Sequence, residues 1–289
     1  TSVGTSGMTL NWTDNATTES GYRIDRSTDG ISYTSLASLA ANSTSYPATG
    51  LSPNTLYFWR VYAVSEGKIS TSLDGTQSTS APTLSGTRSV GPTGDYATLT
   101  AAIADVQNLG LAGAMILELQ TTYSGAGETL PITIGALPGS SAANTLTIRP
   151  TTGSVGLILT GSNATAILDL NGAAYVIIDG RPGGTGDSRQ FTLQNTNTSG
   201  ATLRFINDAT YNTVRNVNLE GVVTSTTSGV VLFSTTTGTT GNDNNTISYC
   251  YIRDVATTPT NGIYATGTTT STAHNNSNNT ISNCDIFNF

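Results

Sequence analysis

From Gly200 onward the chain repeats one alternation of apolar and polar positions three times, over 200–222, 229–255 and 262–289, at a spacing of 29 to 34 residues. The second half of each copy reads Asn-Thr-Val-Arg-Asn-Val-Asn-Leu at 212–219, Asn-Thr-Ile-Ser-Tyr-Cys-Tyr-Ile at 245–252 and Asn-Thr-Ile-Ser-Asn-Cys-Asp-Ile at 279–286. Apolar residues at every second position mark short strands half-buried on one face. A strand-built repeat of this length, with no helical spacing inside it, predicts a coiled solenoid.

Each turn of such a coil lies about one strand spacing, ~4.8 Å, above the last, so like residues stack in columns. Val214, Ile247 and Ile281 form one inward column, Val217, Cys250 and Cys284 a second, and Leu219, Ile252 and Ile286 a third. The first halves of the copies supply Ala201, Val230 and Ile263, with Leu203, Leu232 and Ala265 beside them. Asn212, Asn245 and Asn279 fall in register at a bend. There their amides would bond along the stack and satisfy backbone groups that the corner leaves open.

Less regular rungs extend upstream through 144–148, 166–170 and 174–180. Ahead of them Leu99, Ala102, Ile103, Val106 and Leu109 keep the spacing of an amphipathic helix over about 98–109, with Thr98 as N-cap and Gly110 as the stop. A helix there would cover the apolar end and open edge of the first rung. The repeat, the asparagine register and the cap together resemble the right-handed parallel β-helix of the pectate-lyase-like kind, over roughly residues 90–289.

Residues 1–82 show short strands and turn signals without a period. Tyr22 and Ile24 alternate, Asp29-Gly30 is a hairpin turn, and Thr-Gly-Leu-Ser-Pro-Asn-Thr-Leu-Tyr-Phe-Trp-Arg-Val-Tyr-Ala-Val runs over 49–64. That segment resembles the fibronectin type III signature, with Leu51 and Pro53 before the corner and Tyr57 at the tyrosine-corner position. Trp12, Tyr57 and Trp59 read as core residues rather than a sugar platform. The expected fold class is therefore all-β. A fibronectin type III β-sandwich occupies 1–82, a Ser/Thr/Pro/Gly-rich linker 83–94, and a right-handed parallel β-helix with an N-terminal capping α-helix 95–289.

Charged residues make up only 10% of the chain, the net charge is −7 and Lys68 is the sole lysine, which excludes a basic surface for nucleic acid. No apolar run reaches the ~18 residues of a membrane span, so membrane insertion is not expected. Exposed-looking stretches such as 234–245 and 267–279 are rich in Thr, Ser, Asn and Gly, the surface of a secreted or cell-surface protein. No leader opens the sequence and no cap follows Phe289, so both ends are expected to be cut from a larger protein, with the C-terminal end of the solenoid truncated. The module order and the texture of 170–184 resemble exported proteins of type IX-secreting bacteria. That resemblance implies secretion machinery as a partner and an adhesin-like role.

The residues that could carry chemistry are few. Cys250 and Cys284 stand where Val217 stands one rung earlier, so they read as small buried hydrophobes. A disulfide between neighbouring rungs stays open, whereas two thiols without partner histidines do not make a metal site. His274, the only histidine, reads as a solvated loop residue. Glu220, Arg253, Asp254 and Asp285 are the outward candidates if the solenoid is an enzyme, with Arg204 and Arg215 behind them. Glu220 and Arg253 share a column and predict a cross-rung ion pair, while Asp254 and Asp285 fall in different columns and lack the companion carboxylate of a hydrolase. Asp179 and Asp187 flank a Gly-rich loop that could take calcium, the one cofactor left open, although it lacks the spacing of a calcium loop. Stacked Thr-x-Thr pairs of an ice-binding face are not evident. Two functions remain: a non-catalytic extracellular module, acting as adhesin, stalk or binding scaffold for a polysaccharide or cell-surface partner, and a polysaccharide lyase or glycosidase working on an outward face.

Overall fold

The computed structural model describes residues 2–81, 83–235, 237–268 and 270–289; Thr236 and Thr269, within the two hydroxyl-rich loops noted above, lie outside the described residues. Two compact units follow one another along the chain, Thr1–Pro82 and Thr83–Phe289.

The first unit is a β-sandwich. Gly7–Asn11 pairs antiparallel with Ser45–Thr49, and a second sheet orders Thr34–Ala40, Gly21–Ser27, Leu56–Ser65 and Lys68–Ile69, with Leu73–Ser78 also pairing Leu56–Ser65. Alternation turns Met8, Tyr22, Ile24, Tyr57, Trp59 and Val61 inward around Trp12 and Leu51. Trp12 and Tyr22 pack with ring centroids 5.5 Å apart, and the Tyr57 hydroxyl accepts the Ser52 amide at 2.9 Å, closing the tyrosine corner. All three aromatic residues read as core are buried.

The second unit is a parallel β-solenoid with three faces. The seven-stranded face stacks Leu84–Val90, Leu111–Leu119, Leu146–Pro150, Val176–Asp179, Thr213–Arg215, Thr246–Ser248 and Thr280–Ser282. The chain then passes to a second face, Leu157–Gly161, Phe191–Asn195, Val217–Gly221, Tyr251–Asp254 and Asp285–Ile286, and to a third, Ile132–Ile134, Leu168–Asn171, Leu203–Ile206, Val231–Phe233 and Ile263–Ala265. The one α-helix among the described residues, α1 (Leu99–Leu109), is capped by Thr98 and ends at Gly110, whose φ of 75° is open to glycine. Its face of Leu99, Ala102, Ile103 and Val106 joins the solenoid core.

The stretch 83–94, expected as a linker, is in large part a strand. Leu84–Val90 bonds in parallel to Leu111–Leu119 and opens the seven-stranded face. Its Ser and Thr side chains suit an outermost strand, which is held by backbone bonds and anchored by Leu84 and Val90.

Three of the expected columns are seen as drawn: Val214–Ile247–Ile281, Leu219–Ile252–Ile286, and Val217–Cys250–Cys284 one residue ahead of the paired Asn218–Tyr251–Asp285. On the third face the register differs by one. Leu203 pairs with Val231 and Ile263, and Phe205 with Phe233 and Ala265, so Leu232 points outward beside Arg204 and Tyr264. The bend absorbs the extra residue: the Val230 carbonyl accepts the amides of both Thr202 and Leu203, and Val230 and Val231 are both fully buried. The Phe205 and Phe233 rings, stacked 4.6 Å apart at 6°, then set the register that the apolar pattern left ambiguous.

Asparagines hold the corners. The Asn212 side chain accepts the Val176 amide at 3.0 Å and donates to the Ala173 carbonyl at 2.8 Å and to Asn245 Oδ1 at 3.0 Å. Asn245 repeats the pattern, donating to the Ala209 carbonyl and to Asn279 Oδ1. A second ladder runs beside it, from the Ala209 amide to Asn242 Oδ1 and from the Asn242 side chain to Asn276 Oδ1. Asn212 is 1% exposed, so Asn212→Ala leaves the buried Val176 amide without its side-chain partner and the Ala173 carbonyl with the Thr210 amide alone. The expected loss is about 2–3 kcal/mol in urea unfolding, with a smaller loss for Asn279→Ala on the half-buried outer rung. Equal losses would show that the ladder is not what holds the corner.

Candidate functional site

The outward surface of the second face gathers the residues to which the sequence pointed. Glu220 lies between Gln194 and Arg253 in one column. Arg253 Nη2 donates to Glu220 Oε1 at 2.6 Å, Gln194 Nε2 donates to Glu220 Oε2 at 2.9 Å, and Thr160 Oγ1 donates to Gln194 Oε1 at 2.7 Å. Both oxygens of the Glu220 carboxylate are therefore engaged, and its side chain is 10% exposed. Asp285 sits in the neighbouring column, after Thr192, Asn218 and Tyr251. Asp254 lies further along the strand, where the Asn288 side chain donates to it at 3.1 Å. The structure thus brings Glu220 and Arg253 together as a pair and leaves Asp254 and Asp285 on separate columns.

Arg189, which the sequence did not single out, reaches this surface from the preceding loop. Its Nε donates to the Tyr249 carbonyl and its guanidinium lies 3.9 Å from the Tyr251 ring centroid. Phe287 meets the same ring edge-on at 6.0 Å. An aromatic ring flanked by a guanidinium, the Asn218 amide and the exposed Asp285 makes a polar, aromatic patch of the kind that sugars contact.

Three further carboxylates on the other two faces of the solenoid, Glu118, Asp169 and Asp179, are held by arginines. On the seven-stranded face Glu118, Arg149, Asp179 and Arg215 occupy one column of alternating sign. Arg149 Nη2 donates to Glu118 at 2.6 Å, and Asp179 receives Arg181 at 2.8 Å and Arg215 at 2.9 Å. On the third face Arg204 grips Asp169 through two bonds of 2.8 and 2.7 Å. Burial pushes the Asp179 carboxyl up, but the Arg181 hydrogen bonds and the charges of Arg215 and Arg181 outweigh it and hold the group below the usual carboxylate range.

The calcium reading of Asp179 and Asp187 does not fit this arrangement. Asp179 is 1% exposed and already faces two guanidinium groups, whose charge opposes a cation. Asp187 is exposed and contributes its carbonyl, which accepts the Asn216 side chain. No cluster of three metal-ligating side chains occurs among the described residues. Register alone could have revealed Arg149, Asp169 and Glu118, since each sits one repeat from an opposite charge.

His274 is not simply solvated. Its Nε2 donates to the Gly238 carbonyl at 2.9 Å and its Nδ1 accepts the Ser271 hydroxyl at 2.6 Å, clipping one loop to the next. Cys250 is buried and Cys284 half-buried, both as free thiols.

The Fibronectin type III domain model matches residues 1–76. No curated protein matches the chain in sequence. Among solved structures, a redesigned β-sandwich protein is 22% identical, covers 30% of this chain and 88% of its own, and gives a TM-score of 0.27. A family 28 exopolygalacturonase from Yersinia enterocolitica is 11% identical over 98% of this chain and 68% of its own, with a TM-score of 0.29. A pectate lyase from Pectobacterium carotovorum is 14% identical over 96% and 88%, with a TM-score of 0.24. At these values the similarities carry no argument about activity. A fibronectin type III sandwich and a parallel β-solenoid in one chain support an extracellular type of module, with no helix among the described residues long and apolar enough to cross a membrane.

Proposed function

We propose that this chain is a non-catalytic extracellular module, a binding scaffold or stalk that meets a polysaccharide or cell surface with the outward patch around Tyr251, Arg189 and Asn218. The observation that carries this reading is the pairing of the outward acids. Glu118, Asp169, Asp179 and Glu220 each bond to a guanidinium, and Asp254 and Asp285 stand on separate columns, so these acids offer no facing pair to act as acid and base on one sugar. The same pairs tie one rung to the next, so their role is cohesion. The hydroxyl- and amide-rich loops fit an exported protein, and the type IX route remains our reading of the module order. Adhesion is the role we assign to such a surface.

Full-length protein is the right material for the test, by affinity electrophoresis and calorimetry against neutral and acidic polysaccharides. The expected result is retention by at least one of them without product, with Tyr251→Ala weakening binding roughly tenfold through loss of the stacking surface. Appearance of unsaturated product or new reducing ends, abolished by Asp285→Asn or Asp254→Asn, would establish a lyase or glycosidase instead.

The cohesive role of Asp179 has its own pH signature. Because the folded carboxyl is depressed, its contribution is complete above the unfolded value of about 3.9 and is lost as pH falls through the folded value. Asp179→Asn should therefore lower Tm at neutral pH and flatten the acid-side decline measured by circular dichroism. A variant whose Tm follows the parent at every pH would contradict the assignment.

A further inference from the structure

Cys250 and Cys284 were placed in one column by the repeat, and the structure adds their relation to each other. Ser248 pairs with Ser282 and Tyr251 with Asp285, so the two cysteines stand directly above one another, and the Asp285 amide donates to the Cys250 carbonyl at 3.0 Å. Each follows a corner residue of left-handed backbone, Tyr249 at φ 56° and Asn283 at φ 53°, so both Cα–Cβ bonds leave the chain in the same way. The sulfurs sit alike as well. Cys250 Sγ lies 3.3 Å from the Ser248 carbonyl and Cys284 Sγ 3.4 Å from the Ser282 carbonyl. One strand spacing puts the Cα atoms ~4.8 Å apart, inside the roughly 4.4–6.8 Å that a disulfide spans.

We propose that Cys250 and Cys284 form a rung-to-rung disulfide by exchange with a small-molecule disulfide, making this column a redox-modified staple between the last two repeats. The two thiols differ in readiness. The Cys250 thiol hydrogen-bonds the Cys284 sulfur and, against the effect of burial, holds Cys284 well below the ordinary thiol range. Cys250 is held well above that range, first by the same hydrogen bond and then by its burial. Cys284, half-buried, is the thiolate that meets the reagent; Cys250, fully buried, is the resolving partner.

The chemistry balances as an exchange. The Cys284 thiolate attacks one sulfur of R–S–S–R, that bond breaks and RS⁻ leaves, giving a mixed disulfide on Cys284. The Cys250 sulfur, losing its proton, then attacks Cys284 Sγ and expels the second RS⁻. Two cysteine protons and two electrons have passed to the reagent, which departs as two RSH. The new bond closes a loop that runs from the end of the penultimate repeat through most of the last.

Oxidised glutathione and the full-length chain at neutral pH, without denaturant, form the direct test. The expected result is a fall in titratable thiols from two to none and a monomeric product lighter by two hydrogens. Its peptide map joins 250 to 284, and its Tm rises by roughly 5–10 °C and reverts with dithiothreitol. Cys284→Ser should leave Cys250 unreactive, whereas Cys250→Val, which restores the residue type of Val217, should stop at the glutathione adduct on Cys284. Two thiols still titratable after prolonged exposure would overturn the proposal, as would a stable glutathione adduct on the parent or a cross-link between chains.

Discussion

The constraint on which the solenoid depends lies at its corners. Along each short strand the rung above and the rung below supply hydrogen-bond partners for every backbone group, but at a bend the amides and carbonyls turn away from the stacking axis. Buried without partners they would cost more than the adjoining apolar contacts return. Asn212, Asn245 and Asn279 on one line, with Asn242 and Asn276 on another, present an acceptor and two donors at the height where these groups need them. Because each amide also bonds the next amide in the column, a corner is correct only when its neighbours are in register. Column order inside the coil follows from that requirement.

The outer faces obey the same rule with charge in place of amides. A carboxylate on one rung meets a guanidinium on the next at Glu118–Arg149, Asp169–Arg204 and Glu220–Arg253, and Asp179 is gripped from its own loop and from the next rung. With one residue in ten charged, this pairing occupies Glu118, Asp169, Asp179 and Glu220, and under the function proposed above recognition falls to hydroxyls, amides and the aromatic residues around Tyr251. In that reading the paired acids serve cohesion rather than proton transfer, since a carboxylate held ionised by a guanidinium has no proton to donate.

How far the sequence revealed this depended on whether a position had a periodic partner. The columns through Val214, Cys250 and Ile252 were legible because the same residue types recur in three copies, and the first ladder because Asn212 recurs as Asn245 and Asn279. On the third face two adjacent valines, Val230 and Val231, satisfied the apolar pattern in either phase, and aromatic stacking decided between them. Leu84–Val90 escaped because an outermost strand is specified by backbone bonds and needs few apolar side chains. The loop after Asp179 looked open to a cation because Arg215 is remote in sequence although one rung away in space. Arg189 escaped for a like reason: its partner ring lies in the following repeats.

Uniform repeat spacing also shapes how the coil is assembled. The ladder contacts from Asn212 to Asn245 and from Asn245 to Asn279 span 33 and 34 residues, so each ladder bond ties a rung only to its immediate neighbour. The entropy of closing a loop is therefore met in equal, modest steps. Helix α1, local in sequence and packed on the first rung, offers a finished surface on which the next turn can be laid down as it emerges during synthesis. The cap that seals one end of the core is in this sense also a template, and the direction of the chain becomes the direction of growth.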